Sequence, residues 1–471
     1  MTDYARHEHH DFLGGVASAL ADPPLQAALT RLADTLMAGN RRGFAALADS
    51  SALRDHAKRV KEHALAHLDD YLVKLEASVL ALGGRVHFAA DADEARRIVT
   101  GIALETGSKR IVKSKSMTTE EVHLNPALEA AGLEVVETDF GEFIIQLAGE
   151  RPSHLVAPAV HHTRESIARI LSAHTGETLP DEPAPLAKVG RRLLREKFAQ
   201  ADLGITGANF AVAETGTVVL VSNEGNARLT TAMPRVHVAL MGIEKVIPRL
   251  EDLPVFLKLL ARAATGQTLS VYTTLITGPR RPGETDGPEE FHLVLLDNGR
   301  SRILATEFRE SLQCIRCGAC LNACPVYRRI GGHAYGGVYS GPIGSILTPL
   351  YDSVEDNPHL PHASSLCGAC VAACPVKIDI PRMLVGLREK QGKQGVKPFW
   401  ERMAYGLAAF VLRRPWLYRW ATWLGRWFTK PLARGGWMRS LPGAKAWTDS
   451  RDFPAPAPRS FRDLWPGLKE R

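Results

Sequence analysis

No cysteine of this 471-residue chain lies outside residues 314–374, and no tryptophan precedes Trp400. The longest apolar stretch contains Ala404 to Leu412, nine residues, preceded only by Met403. A membrane-crossing helix needs about 20, so no span is expected. The opening stretch, Met1 to Gly14, is polar and His-rich. It has no apolar region behind a basic start, so no secretory leader is expected either. The chain also lacks a G-x-G-x-x-G dinucleotide fingerprint and a phosphate-binding P-loop. These absences point to a cytoplasmic protein in a reducing compartment, where free thiols persist.

Net positive charge is confined to the tail. From Gln391 to Arg471 there are 16 Lys and Arg against 5 Asp and Glu, a balance of +11. The net charge is +7, so the remainder sums to −4. A basic pI confined to one tail is no argument for nucleic acid, and none is expected as a partner.

What is present is concentrated in the cysteine block. Its first group is Cys314, Cys317, Cys320 and Cys324, followed by Pro325; its second is Cys367, Cys370 and Cys374, followed by Pro375. The first group has the C-x2-C-x2-C-x3-C-P spacing of cubane iron–sulfur sites. Thiolates three apart on a tight turn converge on a small inorganic core, and the proline turns the chain away. In two-cluster ferredoxins the fourth cysteine serves the other cluster. By that rule Cys314, Cys317, Cys320 and Cys374 hold one [4Fe–4S] cluster, and Cys324, Cys367 and Cys370 hold three corners of a second. The second group is incomplete, since Ser364 stands where its first cysteine belongs. Its centre is therefore [3Fe–4S], or [4Fe–4S] with a hydroxyl, water or partner group on the fourth iron. Disulfides are disfavoured by compartment, and zinc by the doubled spacing with its trailing Cys-Pro.

Ahead of the cysteines the chain alternates. Residues 1–65 read as a helical segment, with a Leu25, Leu29, Leu32, Leu36 stripe and a second helix from Ala52 to Leu82. Residues 66–300 switch between short strands (85–90, 110–113, 133–138, 291–296) and helices, with a capping box expected over Thr118–Glu121. Such alternation predicts βαβ units and a mainly parallel sheet. Residues 301–390 form the two-cluster region, entered by a helix over 302–312, and 391–471 a basic, Trp-rich tail.

Two stretches sit where strand ends gather ligands. Lys113 to Thr119 follows a strand and precedes a helix; it suits an anion, or is a capped polar loop. Glu214 precedes a Thr-Gly turn into a buried strand at Val218–Val221. It is the one candidate catalytic acid, in a crevice or on a hairpin surface. His123, His154, His161, His162 and His237 are scattered. The adjacent His161 and His162 would point opposite ways on an extended chain, so they are read as core or surface residues. In the tail, Trp416, Trp420, Trp423 and Trp427 share one helical face among Arg413, Arg414, Arg419, Arg426 and Lys430. That face suits a membrane surface, a partner's groove, or the chain's own cysteine block.

Together these stretches resemble the lactate-utilisation protein B family. The likeness rests on residues 112–117, 139–144, 152–155 and 207–226, on both cysteine groups and on the Trp-rich tail. It implies an α/β LUD-type domain of the NagB/RpiA/CoA-transferase kind, then an α-helical ferredoxin-type domain with two [4Fe–4S] clusters, then a helical tail. It implies electron transfer in oxidation of L-lactate to pyruvate, beside lactate utilisation proteins A and C, with an acceptor unspecified. The alternative is an isomerase- or transferase-like enzyme in the α/β half, with accessory clusters. Peripheral membrane contact through the tail is a further expectation.

Overall fold

The computed structural model describes residues 11–153, 157–396, 398–440, 448 and 451–469. His154 and Leu155 of the family stretch lie outside them. One compact unit runs from Met1 to Gln391 and a second from Gly392 to Arg471.

The first unit is built on a six-stranded sheet, all of whose pairings are parallel. Its strands are β1 (Arg85–Ala89), β2 (Arg110–Lys113), β3 (Glu134–Glu137), β4 (Leu203–Thr206), β7 (Val236–Gly242) and β10 (Glu290–Leu296). They lie in the order β1-β10-β7-β4-β2-β3. A second, mixed sheet joins β5 (Phe210–Val212), β6 (Thr217–Ser222), β8 (Val246–Ile247) and β9 (Tyr272–Ile276) in the order β8-β5-β6-β9. The expected mainly parallel α/β architecture is present.

Parallel strands need helical cover on both faces. One face of the main sheet is closed by the helices Ala92–Glu105 and Leu124–Ala130, through Val99, Ile102 and Leu128. On the other side a single apolar core runs through the second sheet and the N-terminal helices into the cysteine block, from Phe210 and Phe256 to Tyr327 and Leu384. Central β7 is buried at every position. Its run Val-His-Val-Ala-Leu-Met-Gly has no polar alternation to mark it as a strand.

Several local expectations are corrected. The helix expected from Ala52 to Leu82 is two helices, Ser50–Ala66 and Leu68–Ala81, broken at His67. The turn over 116–121 is capped by Ser116, whose Oγ accepts from Thr119 N–H at 3.3 Å, so Thr118 lies inside the helix. In place of one helix over 302–312 there is a short helix, Arg300–Leu304, and a tight turn at Arg309–Gln313.

The N-terminal helices clasp the cysteine block. Pro23–Ala45 packs on the helices Ala319–Ala323 and Tyr327–Ile330. From Ser50–Ala66, Arg54 donates to the carbonyls of Val371 (3.1 Å), Ala372 (3.0 Å) and Cys374 (2.9 Å). A cation on the last carbonyls of a helix satisfies groups that the helix cannot. Here the helix is Ala369–Ala373.

In the second unit, the helices Phe399–Leu412 and Pro415–Thr429 contain no buried residue. Trp416, Trp420, Trp423 and Trp427 are 58–68% exposed. No helix among the described residues is long and apolar enough to cross a membrane.

Candidate metal centre

The cysteine segments are two copies of one local structure. Gly318 (φ 74°) and Gly368 (φ 81°) take the left-handed conformation that glycine tolerates best. Each starts a one-turn helix, Ala319–Ala323 and Ala369–Ala373, and the two helices pack on each other. Each helix ends on a cysteine in extended backbone: Cys324 (φ −79°, ψ 122°) and Cys374 (φ −71°, ψ 123°).

All seven thiols are free. Cys314, Cys317 and Cys320 line one cavity together with Cys374 from the other segment, beside Met117 and Arg316. Cys324, Cys367 and Cys370 are close enough to perturb one another's charge. Burial pushes the thiol of Cys374 up to about 11 and that of Cys370 up to about 12. Such thiols stay protonated unless a soft metal takes the proton's place. Cys367 differs: it is exposed, and the Ala369 N–H and Ser365 hydroxyl hold its thiol below the usual value. Clustered soft donors around an apolar cavity fit an iron–sulfur core.

Around the first cavity lies a buried network that motif reading did not reveal. Arg316 Nη2 reaches Glu244 Oε1 at 3.4 Å and Tyr351 Oη at 3.3 Å, and its guanidinium lies 4.4 Å from the Tyr339 ring centroid. Arg316 Nη1 is buried with no hydrogen-bond partner among the described residues. Arg300 donates to Glu244 Oε2 at 2.6 Å and, with two nitrogens, to Glu121 at 2.8 Å each. Burial alone would raise the Glu244 carboxyl, but Arg300 and then Arg316 outweigh it and hold it down at about 2. Burial lowers Lys61 and Lys245 to about 8 each. These partners come from distant stretches, so no spacing rule could have found them.

The α/β half gathers a second set of buried charges. The chain passes from β2 out to β3, then returns to β4 on the other side of β2. Ligand crevices form at such reversals, beyond the carboxyl ends of the strands. Lys113, at the end of β2, pairs with Glu137 at 2.7 Å and donates to Thr119 Oγ1 at 2.9 Å. Its charge is thus already matched, which leaves the 113–119 loop less suited to an anion than its sequence implied. The loop passes so close to β4 that a side chain on Gly207 would meet Ser116 Oγ at 2.7 Å. Burial pushes Glu120 up to about 7 and Glu142 well above the usual range. Glu142 Oε1 is buried with no hydrogen-bond partner among the described residues. Glu214 is elsewhere: it is exposed in the β5–β6 turn, where it accepts from Leu250 N–H at 2.9 Å.

The histidine pair also departs from expectation. His161 and His162 lie in a turn, their ring centroids 4.3 Å apart. Both Nε2 atoms face Glu150 Oε2, at 2.7 and 3.0 Å, a grouping able to hold a metal ion. The extended backbone that would have parted them is absent. His237 is fully buried against Thr206 Oγ1 at 2.9 Å.

Three family models match the chain. A LUD domain covers residues 72–296, a 4Fe-4S dicluster domain 310–378, and the C-terminal region of lactate utilisation protein B 386–469. Lactate utilization protein B of Geobacillus kaustophilus is 49% identical over 416 residues, 87% of each chain. That of Lysinibacillus sphaericus is 46% identical over 458 residues, 96% of each chain. The crystal structure of a DUF162 family protein from Deinococcus radiodurans matches 49% of this chain and 98% of its own, at 14% identity and a TM-score of 0.27. No fold relation follows from a likeness that weak.

Proposed function

The chain belongs to the lactate utilization protein B family, and from that premise we propose that it is the electron-transfer component of an L-lactate oxidation system. Electrons pass one at a time through two [4Fe–4S] clusters toward an acceptor. Cys314, Cys317, Cys320 and Cys374 hold the first cluster; Cys324, Cys367 and Cys370 hold three irons of the second. The observation that carries this reading is Cys374 lining the cavity of the other segment's three cysteines. Exchange of that kind sets two clusters side by side, as in two-cluster ferredoxins. Proteins A and C of the same system are the expected partners, and the main sheet is read as the isomerase and CoA-transferase type.

The test is Cys374→Ala in protein purified without oxygen. Iron should fall from about eight to about four per chain, with the second cluster's reduced signal retained. An unchanged iron count would refute the assignment.

A second reading, catalysis in the α/β half, is favoured by the raised carboxyls at the sheet's reversal. There Glu120 and Glu142 replace Glu214 as the candidate acids. Glu142→Gln should then abolish lactate-dependent cluster reduction while leaving reduction by dithionite intact; retained lactate-dependent reduction would refute it.

The tail is read as lying on an anionic lipid surface. Its exposed tryptophans are flanked by cationic side chains, a pattern suited to the headgroup boundary. The +11 balance disfavours pairing between two copies of the same face.

A further inference from the structure

We propose that Ser364 Oγ is the fourth protein ligand of the second cluster. This rests on the two-cluster reading above and deepens it.

The argument is the repeat itself. Each residue from Cys314 to Val326 has a counterpart fifty positions on, with Gly318 matched to Gly368 and Cys320 to Cys370. The backbone repeats too, including its least comfortable point. Arg316 (φ 59°) and Leu366 (φ 55°) are both left-handed without being glycine. That conformation is costly for bulky side chains and persists only where the surroundings impose it. In the first segment it brings the Arg316 N–H to Cys314 Sγ, at 3.4 Å. In the second it brings the Leu366 N–H to Ser364 Oγ, at 3.1 Å. The serine oxygen therefore accepts the hydrogen bond that a cluster thiolate accepts in the other copy.

The serine loop is also held in place. Arg388 donates to the Ser364 carbonyl at 3.2 Å and to the Pro361 carbonyl at 2.9 Å. These bonds fix the backbone that carries the serine. The neighbouring Cys367 is exposed, so solvent reaches this side of the segment. On ligation the Ser364 O–H bond breaks, an Fe–O bond forms, and the proton leaves to that solvent. No electron moves. Oxygen is a harder donor than thiolate, so the iron at this corner is the one most readily lost on oxidation.

The experiment compares wild type, Ser364→Ala and Ser364→Cys, purified without oxygen, by iron and sulfide counts and by EPR before and after brief ferricyanide treatment. Ser364→Ala should lose about one iron in eight and show the near-isotropic signal of an oxidised three-iron centre, with the first cluster's spectrum unchanged. Ser364→Cys should keep about eight irons through oxidation and shift the reduced spectrum of the second cluster alone. The proposal is overturned if Ser364→Ala keeps the wild-type count and spectrum. Should the alanine variant fail to fold, a Ser364→Cys spectrum identical to wild type overturns it as well. Failure of the underlying reading looks different: the wild type would itself lack two clusters, whatever stands at 364.

Discussion

Replacing Arg316 by glutamine removes a buried positive charge from the wall of the first cavity. Arg316 lines that cavity, and its Nη1 has no hydrogen-bond partner among the described residues. A unit charge about 6 Å from a cluster, at an effective dielectric of about 20, interacts with an added electron by about 2.8 kcal/mol. For a one-electron couple that is about 120 mV. Glu244 lies 3.4 Å from the guanidinium and offsets part of its field. The net shift should therefore be about half, roughly 60 mV. The sign follows from the charge: without the cation the reduced cluster is less stabilised, so the midpoint falls. The assay is an EPR-monitored redox titration, in which only one of the two signals should move. Glu244→Gln should move the same signal upward. A midpoint in Arg316→Gln within about 15 mV of wild type would refute the claim that this arginine's field reaches the cluster.

Arg54→Ala deprives three helix-end carbonyls of their donor. It should cost about 2 kcal/mol in denaturant titrations under nitrogen; an unchanged midpoint would show that water replaces the guanidinium. Serine at Trp416, Trp420, Trp423 and Trp427 together should weaken sedimentation of the full chain with phosphatidylglycerol vesicles by at least about tenfold. Neutral vesicles should not sediment the wild type, and wild-type indifference to both lipids would remove the membrane reading. Burial, with a smaller push from His292, lowers His237 to about 3 in the folded chain. The unfolded chain then binds the extra proton first. Its contribution to stability is full above about pH 6.5 and fades as pH falls toward 3. Thermal midpoints should drop across that window, and less steeply in His237→Gln.

The cysteine block was legible because its chemistry is local. Fixed spacings and two glycines define each copy, and even the exchange of Cys374 follows from a general rule of such sites. The edge strand β1 was legible because its sequence alternates polar and apolar residues over Arg85, Val86, His87 and Phe88. Central β7 was not, since full burial erases alternation. The break at His67 carries no proline or glycine to announce it. The Glu121–Arg300–Glu244–Arg316 network depends on packing between elements far apart in sequence, and no window along the chain contains it. The expectation that His161 and His162 point apart failed on one local assumption, extended backbone where the chain turns.

The grip of Arg54 on residues 371–374 spans more than three hundred positions. During synthesis the guanidinium is made long before the carbonyls it will hold. The early helices can pack on Leu253–Ala264 before then, but this last contact closes only once the final cysteine has been made.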